Sequence, residues 1–227
     1  MPADTTTEKP ENGLVIAASP ALPGRSGQHA FPDRHCDESW VYHYKPEMKR
    51  ASTQWKHPMS PVHKKFKVTP SAGKVMLTVF WDCQGVLLTE FQQRDHTIMS
   101  ASYRTILTKL CGAIRRKQPG LFTKGMLLLY DNAHPHSANQ TTATLKSFKW
   151  QVLQHPPYSP DLTPSNFHLF GPIKHLSGER FPDEDTVERA VWAWFQQQPQ
   201  EFYATGFQGL VKWWDKCLNL YGDYVQK

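Results

Sequence analysis

From Trp40 onward the chain switches between two hydrophobic periods, and each switch marks a predicted element. Trp40-Val41-Tyr42-His43-Tyr44 is aromatic and β-branched, which predicts a strand, and Lys45-Pro46 stops it. Lys74–Trp81 and Val86–Phe91 alternate on either side of Asp82-Cys83-Gln84-Gly85, the pattern of a β-hairpin. Ser100–Ile114 then changes to the helical period: Tyr103, Ile106, Leu107, Leu110 and Ile114 share one face, and the Ser100 hydroxyl can cap the start. Met126–Tyr130 is apolar without interruption, as in a strand covered on both faces, and Asp131 stands at its C-terminal end. The pattern continues with a helix over His136–Phe148 and a short strand over Trp150–Leu153. The rigid connection Pro156–Pro160 leads into a helix from Pro164 to Leu176. Ser165 or Thr163 can cap that helix, placing Asn166 in its first turn. Asp183–Gln197 and Gly206–Leu220 close the chain as two further helices, the second carrying Leu210, Trp213, Trp214, Cys217 and Leu218.

Residues 1–35 carry neither period. They are rich in Thr, Pro, Ala, Gly and Ser, with one short apolar patch at Leu14–Ala18, and read as a disordered tail preceding a single domain over 36–227. Eight Trp and 12 Phe in 227 residues make the rest a globular composition, which excludes disorder of the whole chain. No apolar run is long enough to span a membrane, and the N-terminus lacks the basic-then-apolar order of a signal peptide. Cys36, Cys83, Cys111 and Cys217 are scattered and form no paired motif, which suggests reduced thiols in a soluble intracellular protein.

The net charge of +6 points to a polyanionic partner, and its distribution sharpens the point. Between Lys45 and Lys74 lie eight basic residues (Lys45, Lys49, Arg50, Lys56, Lys64, Lys65, Lys67 and Lys74) against one acid, Glu47. Trp55, Phe66 and three prolines beyond Pro46 are interleaved, so the stretch predicts an extended loop suited either to a DNA backbone or to solvent. Arg115-Arg116-Lys117 offers a second basic cluster, which either binds phosphate or offsets the dipole at the end of its helix. His134 and His136 form an H-x-H pattern, but no Cys or His cluster completes a zinc site. Asp161 lies in a proline-bounded turn and is expected to organise it, and the tryptophans at 192, 194, 213 and 214 are expected in core or interface.

Strand, strand, strand, helix, strand, helix, strand, then helices is the order of the ribonuclease H-like α/β fold, a mixed sheet flanked by helices. In open α/β sheets ligands collect at the C-terminal ends of strands, where Asp131 is expected. Two divalent ions about 3.5 to 4 Å apart can activate a nucleophile on one side of a phosphodiester and stabilise the leaving oxygen on the other. They need hard oxygen ligands, here gathered from distant segments of chain.

The blocks Asp37-Glu38-Ser39-Trp40, Trp55-Lys56-His57-Pro58, Lys64-Lys65-Phe66-Lys67, Ala72–Asp82, Asp131–His136, Tyr158–Leu162 and Gly222-Asp223-Tyr224-Val225 together resemble the catalytic domain of mariner-type transposases. The resemblance implies Asp37 and Asp131 as metal ligands for Mg2+ or Mn2+, with Asn166 where the family places its third carboxylate. It also implies that Lys45–Lys67 forms a clamp loop that reaches across a homodimer and touches DNA, and that the protein is nuclear with no small-molecule substrate. Three departures bear on activity. Asn166 offers a neutral oxygen in place of a charge, so metal affinity should fall. Phe31-Pro32-Asp33-Arg34-His35-Cys36 puts proline and charges where the strand carrying Asp37 should run, so that strand is expected to be degraded or missing. No helix-turn-helix domains precede residue 37, so reading of a specific terminal repeat is not expected. The sequence therefore supports DNA binding with little sequence preference and weak metal-dependent strand cleavage. The alternatives are a non-catalytic DNA-binding or repair-associated module and a translated remnant.

Overall fold

The computed structural model describes residues 34–42, 73–92, 97–119, 126–153, 155–156, 159–176 and 181–220. Five strands form one mixed sheet: β1 (Arg34–Tyr42), β2 (Lys74–Asp82), β3 (Gly85–Gln92), β4 (Met126–Leu129) and β5 (Trp150–Leu153), in the order β3-β2-β1-β4-β5. The helices are α1 (Ser100–Lys117), α2 (His134–Ser137), α3 (Asn139–Ser147), α4 (Phe170–Leu176), α5 (Glu184–Gln197) and α6 (Gln200–Asn219). A 3₁₀ turn over Pro160–Leu162 and a π-helical turn over Ser165–Leu169 lead into α4.

Each face of the sheet has its own core. On one face Cys36, Phe80 and Leu128 pack against Tyr103, Leu107, Leu110 and Ile114 of α1, the helical stripe expected from the sequence. On the other, Val79 and Trp81 pack against Leu169 and Phe170, against Val187 and Val191 of α5, and against Phe207 of α6. β2 is buried along almost its whole length because it sits between β1 and β3 with helices on both sides. The hairpin turns at Gly85, whose φ of +142° is a conformation that side chains rarely adopt. Asp82 Oδ1 accepts the Gln84 and Gly85 N–H groups there. α6 comes close to Trp81 at Gly206, where a Cβ would stand 2.7 Å from both the Trp81 and His168 rings.

The strand expected to be degraded is present. β1 runs through Arg34, His35 and Cys36 into Asp37, pairing antiparallel with β2 from His35↔Trp81 to Tyr42↔Lys74, and parallel with β4 at Arg34↔Leu128 and His35↔Leu129. Its charged start is tolerated because partners remote in sequence complete it. The buried Arg34 guanidinium donates to Gln118 Oε1 past the end of α1, and Gln118 Nε2 donates on to Asp82 Oδ2 and Gln84 Oε1. β1 thus begins two residues inside the stretch assigned to the tail, while residues 1–33 lie outside the described residues.

Smaller expectations also shift. The helix expected over His136–Phe148 is two helices, broken at Ala138, where ψ is 140°. Ser100 does not cap α1; the N-cap is Met99, whose N–H donates to Ser102 Oγ. Ser165 and Thr163 do not cap the turn before α4: Ser165 Oγ instead accepts from Trp81 Nε1 at 3.0 Å. The last helix begins at Gln200, ahead of Gly206. No disulfide joins the four cysteines, and among the described residues no helix is long and apolar enough to cross a membrane.

Candidate active site

The parallel register between β1 and β4 places the first two carboxylates. His35 lies opposite Leu129, so extending the register by two residues sets Asp37 beside Asp131, just past the end of β4. Neighbouring strands run about 4.8 Å apart, so residues separated by more than ninety positions in the chain become lateral neighbours. Asp37, Asp131 and Asn166 line a single cleft of about 390 Å³, together with Asn132, His155 and Thr163. Asn166 enters from the π-helical turn and is exposed; its N–H is held by the Thr163 carbonyl at 3.0 Å. Such turns inside helices recur at functional sites because they re-aim side chains.

The two aspartates sit in opposite environments. One oxygen of Asp131 accepts from His136 Nδ1 at 2.8 Å and from the Ala133 N–H at 3.0 Å. The His136 bond, the largest influence, holds its pKa below the ordinary value. The side chain remains 47% exposed toward the cleft. Asp37 is almost fully buried. Its Oδ1 accepts the Glu38 N–H at 2.8 Å, while Oδ2 has no hydrogen-bond partner. Burial, and then the neighbouring Glu38 charge, push its pKa well above the carboxylate range.

His136 ties the site to β1. Its side chain is 2% exposed, lies against Tyr103 and Tyr130, and reaches from Asp131 to Glu38 Oε1, 3.3 Å from Nε2. That second contact is an ion pair without the linear geometry of a hydrogen bond. Burial opposes the charged ring, but the Asp131 and Glu38 carboxylates outweigh it and push the pKa up to about 10. His136 is therefore a buried imidazolium between two carboxylates, the arrangement by which a partner group fixes a ligand's orientation. Its H-x-H neighbour His134 is exposed and takes no part.

Two more histidines stand near the site, and of the two His155 lines the cleft. His35 Nδ1 donates to the Leu129 carbonyl at 3.0 Å and Nε2 stands 4.0 Å from Asp37 Oδ2; burial drives its pKa down to about 3. His155 Nε2 donates to the Ser159 carbonyl at 3.0 Å, its carbonyl accepts from Asn132 Nδ2 at 2.7 Å, and burial lowers its pKa. Asn132 thus anchors the connection after β5 to the segment carrying Asp131.

The basic residues fare differently. Arg115 and Arg116 lie exposed in the last turn of α1 and do not line the cleft; beside them Lys117 Nζ donates to the Val86 and Leu87 carbonyls. Their placement at a helix C-terminus fits either reading, offset of the dipole or phosphate binding. Lys45, Lys49, Arg50, Lys56, Lys64, Lys65 and Lys67 lie outside the described residues. Asp161 sits in the 3₁₀ turn, as expected, and does not line the cleft. Glu38, His35, His136 and Asn132 were not singled out by the sequence for these roles. Their only local signal was adjacency to Asp37 and Asp131.

The chain resembles known proteins in both sequence and fold. A family model described as Transposase (partial DDE domain) matches residues 45–124. The human histone-lysine N-methyltransferase SETMAR is 34% identical over 236 residues, covering 99% of this chain and 33% of that protein. The mariner Mos1 transposase of Drosophila mauritiana is 34% identical over 193 residues, covering 84% of this chain and 55% of that protein. The chain thus spans between a third and about half of these relatives. Among solved structures, the Mos1 paired-end complex with Mn superposes with a TM-score of 0.73 at 33% identity, covering 85% of this chain and 56% of that one. The isolated Mos1 catalytic domain gives 0.70 at 31% identity, covering 85% of this chain and 83% of that one. The mixed sheet flanked by helices is thus the ribonuclease H-like sheet expected from the order of elements. With its carboxylates brought together across β1 and β4, the chain belongs to the mariner transposase family, as a transposase-derived domain whose ancestry is DNA cleavage and strand transfer.

Proposed function

We propose that this domain binds DNA with little sequence preference and holds a divalent cation, Mg2+ or Mn2+, between Asp37 and Asp131. Asn166 stands in the third place and blunts the strand cleavage such a site performs. The observation that carries the reading is the buried Asp37 Oδ2, which has no hydrogen-bond partner in a cleft it shares with Asp131 and Asn166. An isolated buried carboxylate oxygen is costly, and a cation is the partner that turns the cost into affinity. Among the described residues no group of three or more His, Cys, Asp or Glu side chains is placed to hold a metal by itself. Two carboxylates and an amide therefore leave the other positions to water and phosphate oxygens, as hard divalent cations accept. Bound there, the cation supplies Lewis acidity toward the phosphodiester and acidifies a water or 3′ hydroxyl.

The chain's own residues do the rest. The imidazolium of His136 and the Ala133 N–H hold one Asp131 oxygen, leaving the other side of the carboxylate to the cleft. The Asn132 bond to the His155 carbonyl keeps the opposite wall in register. Asn166 contributes an oxygen without charge, which weakens the hold on a dication beside a phosphate. Mos1 has been solved in paired-end and strand-transfer complexes, one of them with Mn, which supports DNA and a divalent metal as the partners here. In this reading Lys45, Lys49, Arg50, Lys56, Lys64, Lys65 and Lys67 contact the DNA backbone, a homodimer presents two such loops, and the protein works in the nucleus.

The test is cleavage of a labelled duplex with single-stranded flaps in Mn2+. The chain should cut slowly, Asn166→Asp should raise the rate on the order of tenfold or more by restoring a hard anionic ligand, and Asp131→Ala should abolish it. Equal cutting by the Asp131→Ala variant would sink the reading. Binding by all three with cutting by none would replace it with a non-catalytic DNA-binding module.

A further inference from the structure

Resting on the reading of Asn166 as the third place of the site, we infer that Trp81 is the positioning residue for that place: its indole N–H, acting through Ser165, aims the side chain at 166 into the cleft. Trp81 is fully buried in β2, and a buried indole N–H needs an acceptor. It donates to Ser165 Oγ at 3.0 Å, and Ser165 is itself 0% exposed. Successive side chains of a helical turn stand roughly a quarter turn apart, so turning Ser165 inward turns Asn166 out, where it lines the cleft and is exposed. A serine at the start of a helix ordinarily caps it. Here the hydroxyl is engaged by Trp81, and the turn begins at Pro164 with no side-chain cap.

The ring works as a strut between two parts of the site. Trp81 pairs with His35 in the same register that pairs Val79 with Asp37, so its side chain leaves the sheet on the face of Asp37. Beyond the sheet the indole stacks on His168, with centroids 6.4 Å apart and planes inclined by 17°. His168 Nε2 in turn donates to the Phe202 carbonyl at 2.7 Å. Phe207 lies edge-on to the indole at 4.7 Å, and α6 passes so close at Gly206 that a Cβ there would stand 2.7 Å from the ring, which leaves it no room to tilt.

The π-helical turn thus leans on one indole at two points, Ser165 and His168, and that indole is fixed to the strand pair that carries Asp37. The frame for a third carboxylate therefore persists although Asn166 occupies its place. What Asn166 lacks is charge, not placement.

The experiment substitutes Trp81→Phe, which keeps a ring and removes the donor, and Ser165→Ala, which removes the acceptor, singly and together, in the full chain and in its Asn166→Asp variant. Two readouts need no metal. The Trp81 indole N–H resonance, assigned by its loss in Trp81→Phe, should move upfield and exchange faster in Ser165→Ala. Amides of 163–170 should exchange faster in both variants while those of β4 do not. On the flapped duplex in Mn2+, each variant should lower the kcat of the Asn166→Asp chain about fivefold, the worth of one hydrogen bond, with the KM for DNA unchanged. The two together should lose no more than one alone, because both remove the same bond. If Trp81→Phe fails to fold, Ser165→Ala decides. An unmoved indole resonance, exchange that quickens equally in β4, or kcat and KM changing together overturns the inference and leaves Trp81 as core. If the Asn166→Asp chain does not cut, the proposed function falls, and the indole resonance and the exchange of the turn still decide the positioning.

Discussion

Neighbouring residues of β1 face opposite sides of the sheet, and the two sides treat polar groups in opposite ways. On one, Glu38 meets the buried imidazolium of His136, which in turn holds Asp131. On the other, His35 and Asp37 present buried acceptor atoms with no hydrogen-bond partner. Folded proteins pair buried polar groups almost everywhere: Glu38 Oε1, though without a hydrogen bond, is ion-paired to His136 at 3.3 Å, so that face reads as scaffold, and the face of Asp37 as the less complete one. One strand can thus serve two ends: charge compensation behind the sheet fixes the frame, and the proposed cation would supply the compensation missing in front.

The largest effect should come from breaking the complete face. His136→Gln removes the charge between two carboxylates, and loss of one partner from a buried pair typically costs about 3 kcal/mol or more. For a domain of this size that lowers the melting temperature by about 6 to 12 °C, measurable by calorimetry, and Glu38→Gln added to His136→Gln should cost less than the sum of the two. The incomplete face should respond with the opposite sign. Asp37→Asn, which removes a carboxyl group whose charged form burial disfavours, should raise the stability of the metal-free chain by about 1 kcal/mol, while Mn2+ should no longer raise the melting temperature. A variant as unstable as His136→Gln would show that Asp37 is already satisfied.

Packing beneath the incomplete face gives a smaller effect of a different kind. Gly206→Ala places a methyl group 2.7 Å from Trp81 and His168, and overpacking of this sort costs about 1 to 3 kcal/mol. Because Trp81 Nε1 donates to Ser165, the change should loosen the turn carrying Asn166. Hydrogen exchange in 163–170 should therefore speed up more than in β4.

The finest contrast is in pH. The folded-state pKa of His136 is raised to about 10 from 6.5, so its contribution is complete below pH 6.5 and is lost as pH rises through 10. That of His35 is depressed to about 3, so its contribution is complete above pH 6.5 and is lost as pH falls toward 3. Melting temperature against pH should thus fall on both sides, with His136→Gln flattening the alkaline limb and His35→Asn the acid limb. If either variant flattens the other's limb, the assignment of the two faces is wrong.

Much of this was legible where the deciding interactions were local. The apolar run ending at Asp131, the hairpin around Gly85 and the α1 stripe from Tyr103 to Ile114 all follow from short-range pattern. β1 was misjudged because its acceptability is decided by groups remote in sequence: Gln118 for Arg34 and the Leu129 carbonyl for His35. The break at Ala138 and the π-helical turn at Ser165–Leu169 likewise answer to packing, since Ser165 is turned inward to Trp81 and is not left to cap a helix. In the site, Asp37, Asp131 and Asn166 were expected from the resemblance to the transposase family, and they meet in one cleft. His35 and His136 were not, because a histidine's role depends on what faces each ring nitrogen.

The parallel pairing of β1 with β4 also sets an order of events. β1, β2 and β3 lie next to one another in the sheet as consecutive strands, whereas β4 joins β1 only by closing a loop of more than ninety residues, at a cost in chain entropy. As the chain emerges from a ribosome, a three-stranded meander carrying Asp37 can form well before Asp131 exists, and contacts of such long span form late in folding. The cleft therefore closes late, and if the proposed cation site holds, the gain of bound Mn2+ during refolding should report closure of the β1–β4 pair.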